Sequence, residues 1–523
     1  MKKSFVTFIE LLILALVLAC FDGGGGGGSN GNAETGGSDE IVFTGAIGAE
    51  EYIEPGIKKS LLGKNNSNVY YVVFDAFKST WEEKFVYSAD VQTMIDAAGE
   101  AAVITGTRKY VFIQEGEYSP GTARDSSFSM KNNVTIIGGF LGTEEDGVPL
   151  GENTKTILTG KNNSYHVFYH AGATSVDDTA QMRNVTITGG NANGSGIARY
   201  GGGMYNDNSS PSLAGCIFLK NSVNGVGTGA GSGAVGGGGM YNIGDSSPSL
   251  ISCSLTENKT SFTYSYSPPF PPNYRYSAYV YGGGIYHEGS KLTLSGCTFT
   301  ANTASISTPF YSFSYGGGLY NNGSDKMILT DCTFKNNTVS GDGYITDAYA
   351  CGGAVYSINN NSDFINCFFI ENTAFLNTFT DVPGGMTNNA YGGGLYAENN
   401  VILKGCTFKG NITKAYFPAD SIFQQYIYSL GGGAYFVGNI KLSDCTFIAN
   451  ISSFFSFGNL KRLNTYGGGI YFVNSTEVNW NTPDSIFSGN ISDFVESVRV
   501  GIIDHINKNG TIITSPPENV IYQ

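Results

Sequence analysis

Nine cysteines and four histidines are the residues of this 523-residue chain best suited to metal, thiol or redox chemistry. Seven of the cysteines, Cys216, Cys253, Cys297, Cys332, Cys367, Cys406 and Cys445, recur at intervals of 35 to 44 residues. A structural zinc site wants ligand pairs a few residues apart. A disulfide wants Cβ atoms about 3.8 Å from one another. Spacing at one structural period instead stacks these thiols at the rise of a coil, where a buried free cysteine acts as a small hydrophobe. Cys351 falls outside the series and is assigned no role. His166 and His170 are expected on one face of an alternating strand, without acids or cysteines at ligand spacing, and read as structural histidines.

The carboxylates are equally uninformative about catalysis. Calcium-assisted cleavage of a polysaccharide needs clustered acids and a basic residue, and glycoside hydrolysis needs two or three carboxylates at set separations. Asp325, Asp331, Asp363 and Asp444 are scattered, and Asp177-Asp178 is a lone pair in a polar stretch read as a solvated loop. The glycine triplets do not open helices, so they do not read as phosphate-binding loops. No cofactor, metal or catalytic residue is assigned. More suggestive is an aromatic segment, TYSYSPPFPPNYRYSAYVY from Thr263 to Tyr281. Tyr264, Tyr266, Phe270, Tyr274, Arg275, Tyr276 and Tyr279 form a candidate ligand-binding loop, because tyrosine rings are large, rigid and half polar. Ser307 to Tyr315 and Ala415 to Tyr428 continue the theme. The competing reading is that these rings only shield the scaffold.

The elements that would position such loops are repeats. Glycine-rich units recur eight times, as YGGGMYN ending at Asn206, GGGGMYN at Asn242, YGGGIYH at His287, YGGGLYN at Asn321, CGGAVYS at Ser357, YGGGLYA at Ala397, LGGGAYF at Phe436 and YGGGIYF at Phe472. Each precedes a second unit such as CTFTAN, Cys297 to Asn302, and the period is 34 to 45 residues. Self-similarity at such a period means stacked units that cannot bury their apolar faces alone. The intervening segments alternate and carry β-branched and aromatic residues, which is strand patterning. About 21 residues from glycine unit to asparagine suit three short strands and two bends, one coil of a parallel β-helix, with the remainder a loop. Three ladders follow, the first of them inward. The first is the cysteines. The second is Phe218, Phe299, Phe334, Phe369, Phe408, Phe447 and Phe487, with Leu255 in the second copy. The third is Asn221, Asn258, Asn302, Asn337, Asn372, Asn411, Asn450 and Asn490. These asparagines are expected at bends with unusual dihedrals, their amides bonded along the axis.

The ends complete the plan. Lys2, Lys3 and the apolar Leu11 to Ala19 describe a lipoprotein signal peptide over residues 1–19, with Cys20 the acylated first residue of the mature chain. Residues 20–40 are a Gly-rich flexible tether. Residues 41–130 form an N-terminal cap and first strands, residues 131–490 the β-helix, and residues 491–523 a C-terminal cap. Val91, Met94, Ile95 and Ala98 predict a short capping helix with Ser88 as its N-cap. Strands are expected at Tyr110 to Gln114, Val134 to Gly138, Thr156 to Leu158, His166 to Tyr169 and Val185 to Thr188. Val498 to Ile503 and Thr511 to Ile513 are expected to close the far end.

GGGMYN with FLKN, GGGIYH with FTAN and GGGLYN with FKNN resemble the paired GGA[ILV] and FxxN repeats of the chlamydial polymorphic membrane proteins. SFSMKNNVTIIGGFLGTE, NSYHV and NVTITGGNANG look like the opening coils of related bacterial β-helix repeat proteins. The resemblance spans most of residues 70 to 490. It implies a right-handed, single-stranded parallel β-helix, all-β apart from the capping helix, with a surface or adhesive role. Those relatives end in an autotransporter barrel, for which no strand series is seen here, so lipid at Cys20 would be the anchor. A net charge of −14 with no basic cluster argues against nucleic acid as a partner. The function expected is a non-enzymatic, lipid-anchored outer-membrane or cell-surface protein, adhesin-like, binding host or neighbouring-cell protein or glycan. The alternatives are a β-helix polysaccharide lyase or glycoside hydrolase, or a purely structural or antigenic coat protein.

Overall fold

The computed structural model describes residues 69–72, 86–88, 90–140, 156–227, 233–264, 276–308, 311–343, 347–359, 361–378, 386–417, 425–456, 463–473, 478–480, 486–488 and 490–495. The signal peptide, Cys20, the tether and residues 496–523 of the expected C-terminal cap lie outside them, while Ile491–Val495 of that cap is a further strand, paired with Ile451–Ser456.

The repeats stack as a parallel β-solenoid of about nine turns. Five sheets run along it, named here A to E, with 13, 11, 9, 9 and 7 strands, and every recorded strand pairing is parallel. The residues after a glycine unit form sheet C, as Ile285–Glu288. Next come sheet A, as Thr293–Ser295, and sheet B, as Thr298–Thr300. The segment beyond the ladder asparagine was expected to be loop. Its two ends are instead strands: Thr303–Thr308 joins sheet D, and Tyr311–Tyr315, before the next glycine unit, joins sheet E. A coil therefore has five strands.

Sheets A, B and C enclose the main core, in which the predicted ladders are realised. The register Phe299↔Phe334↔Phe369↔Phe408↔Phe447↔Phe487 is continuous. Rings from Phe299 to Phe447 stack with centroids 4.5 to 5.2 Å apart. The seven ladder cysteines are buried and free. The asparagine ladder bonds amide to amide from Asn221 to Asn490 at 2.9 to 3.1 Å. The left-handed dihedral expected at these asparagines belongs to the residue before them: Lys220, Glu257, Ala301, Asn336, Glu371 and Ala449 have φ of 53° to 56°. Displacing the strain by one residue leaves the asparagine extended, so its amide reaches inward along the axis. The first glycine of a triplet takes the second bend, as at Gly282 with φ +56°. The next admits a close approach, since a Cβ on Gly283 would lie 2.3 Å from the Gly317 carbonyl oxygen.

Sheets D and E alternate buried and half-buried residues and face one another over a second, smaller core. Val223, Val235, Phe262, Val280, Ile306 and Leu376 belong to it. This pair makes the flank that carries the aromatic segments.

Helix α1, Val91–Thr105, opens the array. Its N-cap is Asp90 rather than Ser88: the Asp90 carboxylate accepts from the Thr93 N–H at 2.7 Å. A carboxylate at the helix N-terminus meets unpaired N–H groups and the positive dipole end, and Ser88 is held in the strand Val86–Ser88. Val91, Met94, Ile95 and Ala98 pack into the main core. Gln92 ties the helix to the first coil by accepting from Ser129 N at 2.8 Å. The helix plugs the interior, while two further strands, Val69–Val72 and Val86–Ser88, extend the edge of sheet A beyond it. The expected early strands are present as Lys109–Gln114, Val134–Phe140, Thr156–Thr159, Phe168–His170 and Thr186–Thr188.

Candidate ligand-binding flank

Of the loop residues singled out, Tyr264 ends a strand of sheet D, Lys259–Tyr264, and Tyr279 lies within Ser277–Tyr281 of sheet E. Tyr264 packs on the second core and stacks with Tyr276 at 6.3 Å. Tyr266, Phe270, Tyr274 and Arg275 lie outside the described residues.

Strand register gathers the aromatic segments on one flank. In sheet E, Tyr279 pairs with Phe313, Phe313 with Tyr349, Tyr349 with Asn389 and Asn389 with Tyr428. Tyr279, Phe313, Tyr349 and Tyr428 are half-buried, on the face of sheet E away from the second core. Tyr279 stacks on Phe313 at 4.9 Å and Phe313 on Tyr349 at 5.3 Å. The neighbouring outward column holds Tyr281, Tyr315, Cys351, Tyr391 and Leu430.

Where sheet E meets sheet C, a tyrosine stack appears that had not been picked out from the sequence. Tyr169, Tyr205, Tyr241, Tyr286, Tyr320, Tyr356, Tyr396, Tyr435 and Tyr471 follow one another with centroids 4.4 to 5.6 Å apart. Residues of the sheet E column interleave: Tyr281 lies 4.6 Å from Tyr320, Tyr315 4.6 Å from Tyr356 and Tyr391 4.5 Å from Tyr435. The signal was present in the glycine units, most of which read Tyr-Gly-Gly-Gly-X-Tyr. Two tyrosines flanking a tight bend are brought together by stacking successive coils. Burial, and next to it the neighbouring phenols, push the Tyr241 and Tyr286 hydroxyls above the usual phenol range. Tyr286 donates to the Glu288 carboxylate and Tyr396 to Glu398 Oε1 at 2.7 Å. Cys351, replacing the first tyrosine of its unit, is buried in this cluster, and burial raises its thiol too.

The remaining candidates have scaffold positions. Burial pushes the Cys253, Cys332 and Cys406 thiols up, keeping them protonated. The two histidines do not share a face, because the strand begins only at Phe168. His166 packs against the outward Tyr169 and Tyr205, both at 5.5 Å, with Nδ1 3.0 Å from the Gly201 carbonyl. His170 points into the main core. Its Nε2 accepts from Met130 N at 3.0 Å, so Nδ1 carries the proton given to Asn206 Oδ1 at 2.9 Å. His287 occupies the same inward column, between Asn242 and Asn321. Asp331 and Asp444 sit at left-handed bends with φ of 54° and 55°, and Asp363 pairs with Lys326 at 2.6 Å. Asp177 accepts from Thr179 N at 2.9 Å within its turn. Among the described residues no cluster of three or more His, Cys, Asp or Glu could hold a metal, and no helix is long and apolar enough to cross a membrane.

No protein-family model, curated protein or solved structure matches this chain.

Proposed function

We propose that this chain is a non-enzymatic, adhesin-like surface lipoprotein that recognises protein or glycan on host or neighbouring cells through the flank made by sheets D and E. The observation that carries this reading is the column Tyr279, Phe313, Tyr349: half-buried rings brought into line by register on a scaffold whose inner ladders are closed. Rigid aromatic surface is favourable for recognition because little side-chain entropy is lost on binding. The likeness of the GGG and FxxN units to chlamydial polymorphic membrane protein repeats supports a surface role and a right-handed coil. The basic, apolar start ending at Cys20 supports a lipid anchor, with several acyl chains together holding the protein firmly. Protease treatment of intact cells tests the placement. Cleavage of the protein while periplasmic proteins survive is expected; protection until the outer membrane is opened contradicts surface display.

A further inference from the structure

A ring column needs no hydroxyl to stack, as Phe299 to Phe447 show in the main core. The column where sheets C and E meet is nevertheless tyrosine on every coil from Tyr169 to Tyr471. Its eight coil rises span about 38 Å. A tyrosine, unlike a phenylalanine, can give up one electron to a strong oxidant, provided that its phenol proton has a destination. That destination is present twice. Tyr286 donates to the Glu288 carboxylate, and Tyr396 donates to Glu398 Oε1 at 2.7 Å. Glu288 is exposed, so a proton it takes can pass to water. Tyr320 and Tyr356 bridge the pair, with successive centroids 5.0, 5.6 and 4.6 Å apart. All four rings are 9% exposed or less. On their solvent side the half-buried Tyr281 and Tyr315 each lie 4.6 Å from a buried ring. That outer column is interrupted at Cys351, so the continuous path runs through Tyr320 and Tyr356.

We propose that the tyrosine column is a radical relay, which takes an oxidising equivalent at Tyr281 or Tyr315 and carries it along the buried rings to Tyr286 or Tyr396. The oxidant is a one-electron acceptor of the peroxyl-radical or ferryl class. At Tyr286 one electron leaves through the neighbouring rings and reduces the oxidant. The Oη–H bond breaks, its proton bonds to the Glu288 carboxylate, and a neutral phenoxyl radical remains. Tyr396 and Glu398 do the same. A thiolate or ascorbate from the medium then gives one electron and is itself oxidised; Glu288 returns the proton, and the phenol is restored. Burial keeps the radical from coupling to a second protein. The relay does not depend on what the flank recognises.

Flash photolysis of the full-length chain tests the relay. Asp245→Cys, on an exposed turn just past Tyr241, carries a ruthenium polypyridyl sensitiser, and Cys20→Ser prevents labelling there. The other cysteines are buried. Tyr435 is replaced by 3-aminotyrosine, a radical trap with its own electron paramagnetic resonance signature. After a flash with a cobalt(III) electron acceptor, the aminotyrosyl signal should exceed that obtained with free sensitiser at equal concentration. Tyr320→Phe combined with Tyr356→Phe keeps the rings and removes only their oxidisable hydroxyls. It should leave Tm unchanged and cut the signal at least tenfold, whereas a column that merely packs would lose nothing. Tyr286→Phe gives a second reading should the double variant fold poorly, and it should also lower the signal. Tyr205→Phe, on the far side of the sensitiser, should leave it unchanged. Glu288→Gln with Glu398→Gln should lower it at least threefold. A signal no larger than with free sensitiser, or one that survives both the double variant and Tyr286→Phe, overturns the relay. A signal that survives the paired glutamine changes overturns the role of the two carboxylates.

Discussion

Asn302 donates from Nδ2 to Asn337 Oδ1 on the next coil at 2.9 Å, and its backbone N–H reaches the same oxygen at 3.1 Å. Asn337 Nδ2 in turn gives one hydrogen to Asn372 Oδ1 at 3.0 Å and the other to the Phe299 carbonyl at 2.8 Å. Every polar site of this buried amide is satisfied, so removing it orphans groups on both neighbouring coils. Asn337→Leu should cost about 3–5 kcal/mol, since each stranded buried group costs about 1–3 kcal/mol. Urea denaturation followed by circular dichroism measures it. A loss under about 1 kcal/mol would mean that the ladder contributes little beyond packing.

The backbone approach at the second glycine of a triplet makes a sharper prediction. Gly283→Ala would place a methyl 2.3 Å from the Gly317 oxygen and 2.6 Å from Thr303 backbone atoms. Overpacking against backbone cannot relax by a rotamer change, so about 3 kcal/mol or more should be lost. The third position is roomier, as Ala354 already shows in its own coil. Gly318→Ala, whose Cβ would lie 2.9 Å from the Ala354 oxygen, should cost clearly less. Melting curves of the two variants order them.

Acid should weaken the fold through two buried histidines. Burial holds both His170 and His287 down to about 4. An unfolded histidine titrates near 6.5. The unfolded chain therefore takes up protons first, so the stabilisation is complete above pH about 6.5 and is lost as the pH falls toward about 4. Each residue contributes on the order of 3 kcal/mol across that window. His287→Asn puts in its column the residue found on the adjoining coils, Asn242 and Asn321. It should reduce the drop in urea midpoint between neutral and mildly acidic pH, whereas an unchanged drop would place the acid sensitivity elsewhere.

How much of this was legible in the sequence follows from what each segment repeats. The ladders were readable because Cys, Phe and Asn recur at fixed distances within each coil, and stacking turns equal position into contact. Sheets D and E were read as loop because their tips vary in length and their strands carry serine, threonine and tyrosine. Their alternation, as in SAYVY from Ser277 to Tyr281, is too short to stand out. The N-cap was misplaced by two residues because Ser88 and Asp90 are both good caps, and only strand pairing excludes Ser88. Asn389 could not be placed between Tyr349 and Tyr428 until the register had defined their column.

Thiol counting tests the anchor. The chain has nine cysteines, of which eight are buried and free in the described residues, leaving Cys20 as the ninth. A native sample should react slowly with a thiol reagent, because the thiols are buried and inaccessible. After denaturation, protein extracted from its own membrane should titrate eight thiols if Cys20 is acylated through its sulfur. Nine thiols would contradict the lipid anchor.

The central claim is that the coils supply rigidity while the D and E flank supplies recognition. Removing all of Thr263 to Tyr281 would delete strand residues of both sheets, so the informative change exchanges only residues 265–275 for a Gly-Ser linker of equal length. Binding of the purified protein to cells that wild type decorates, measured beside Tm, is the direct test. The account predicts an unchanged Tm and a loss of binding of at least tenfold, about 1.4 kcal/mol; full binding at the same Tm would contradict it.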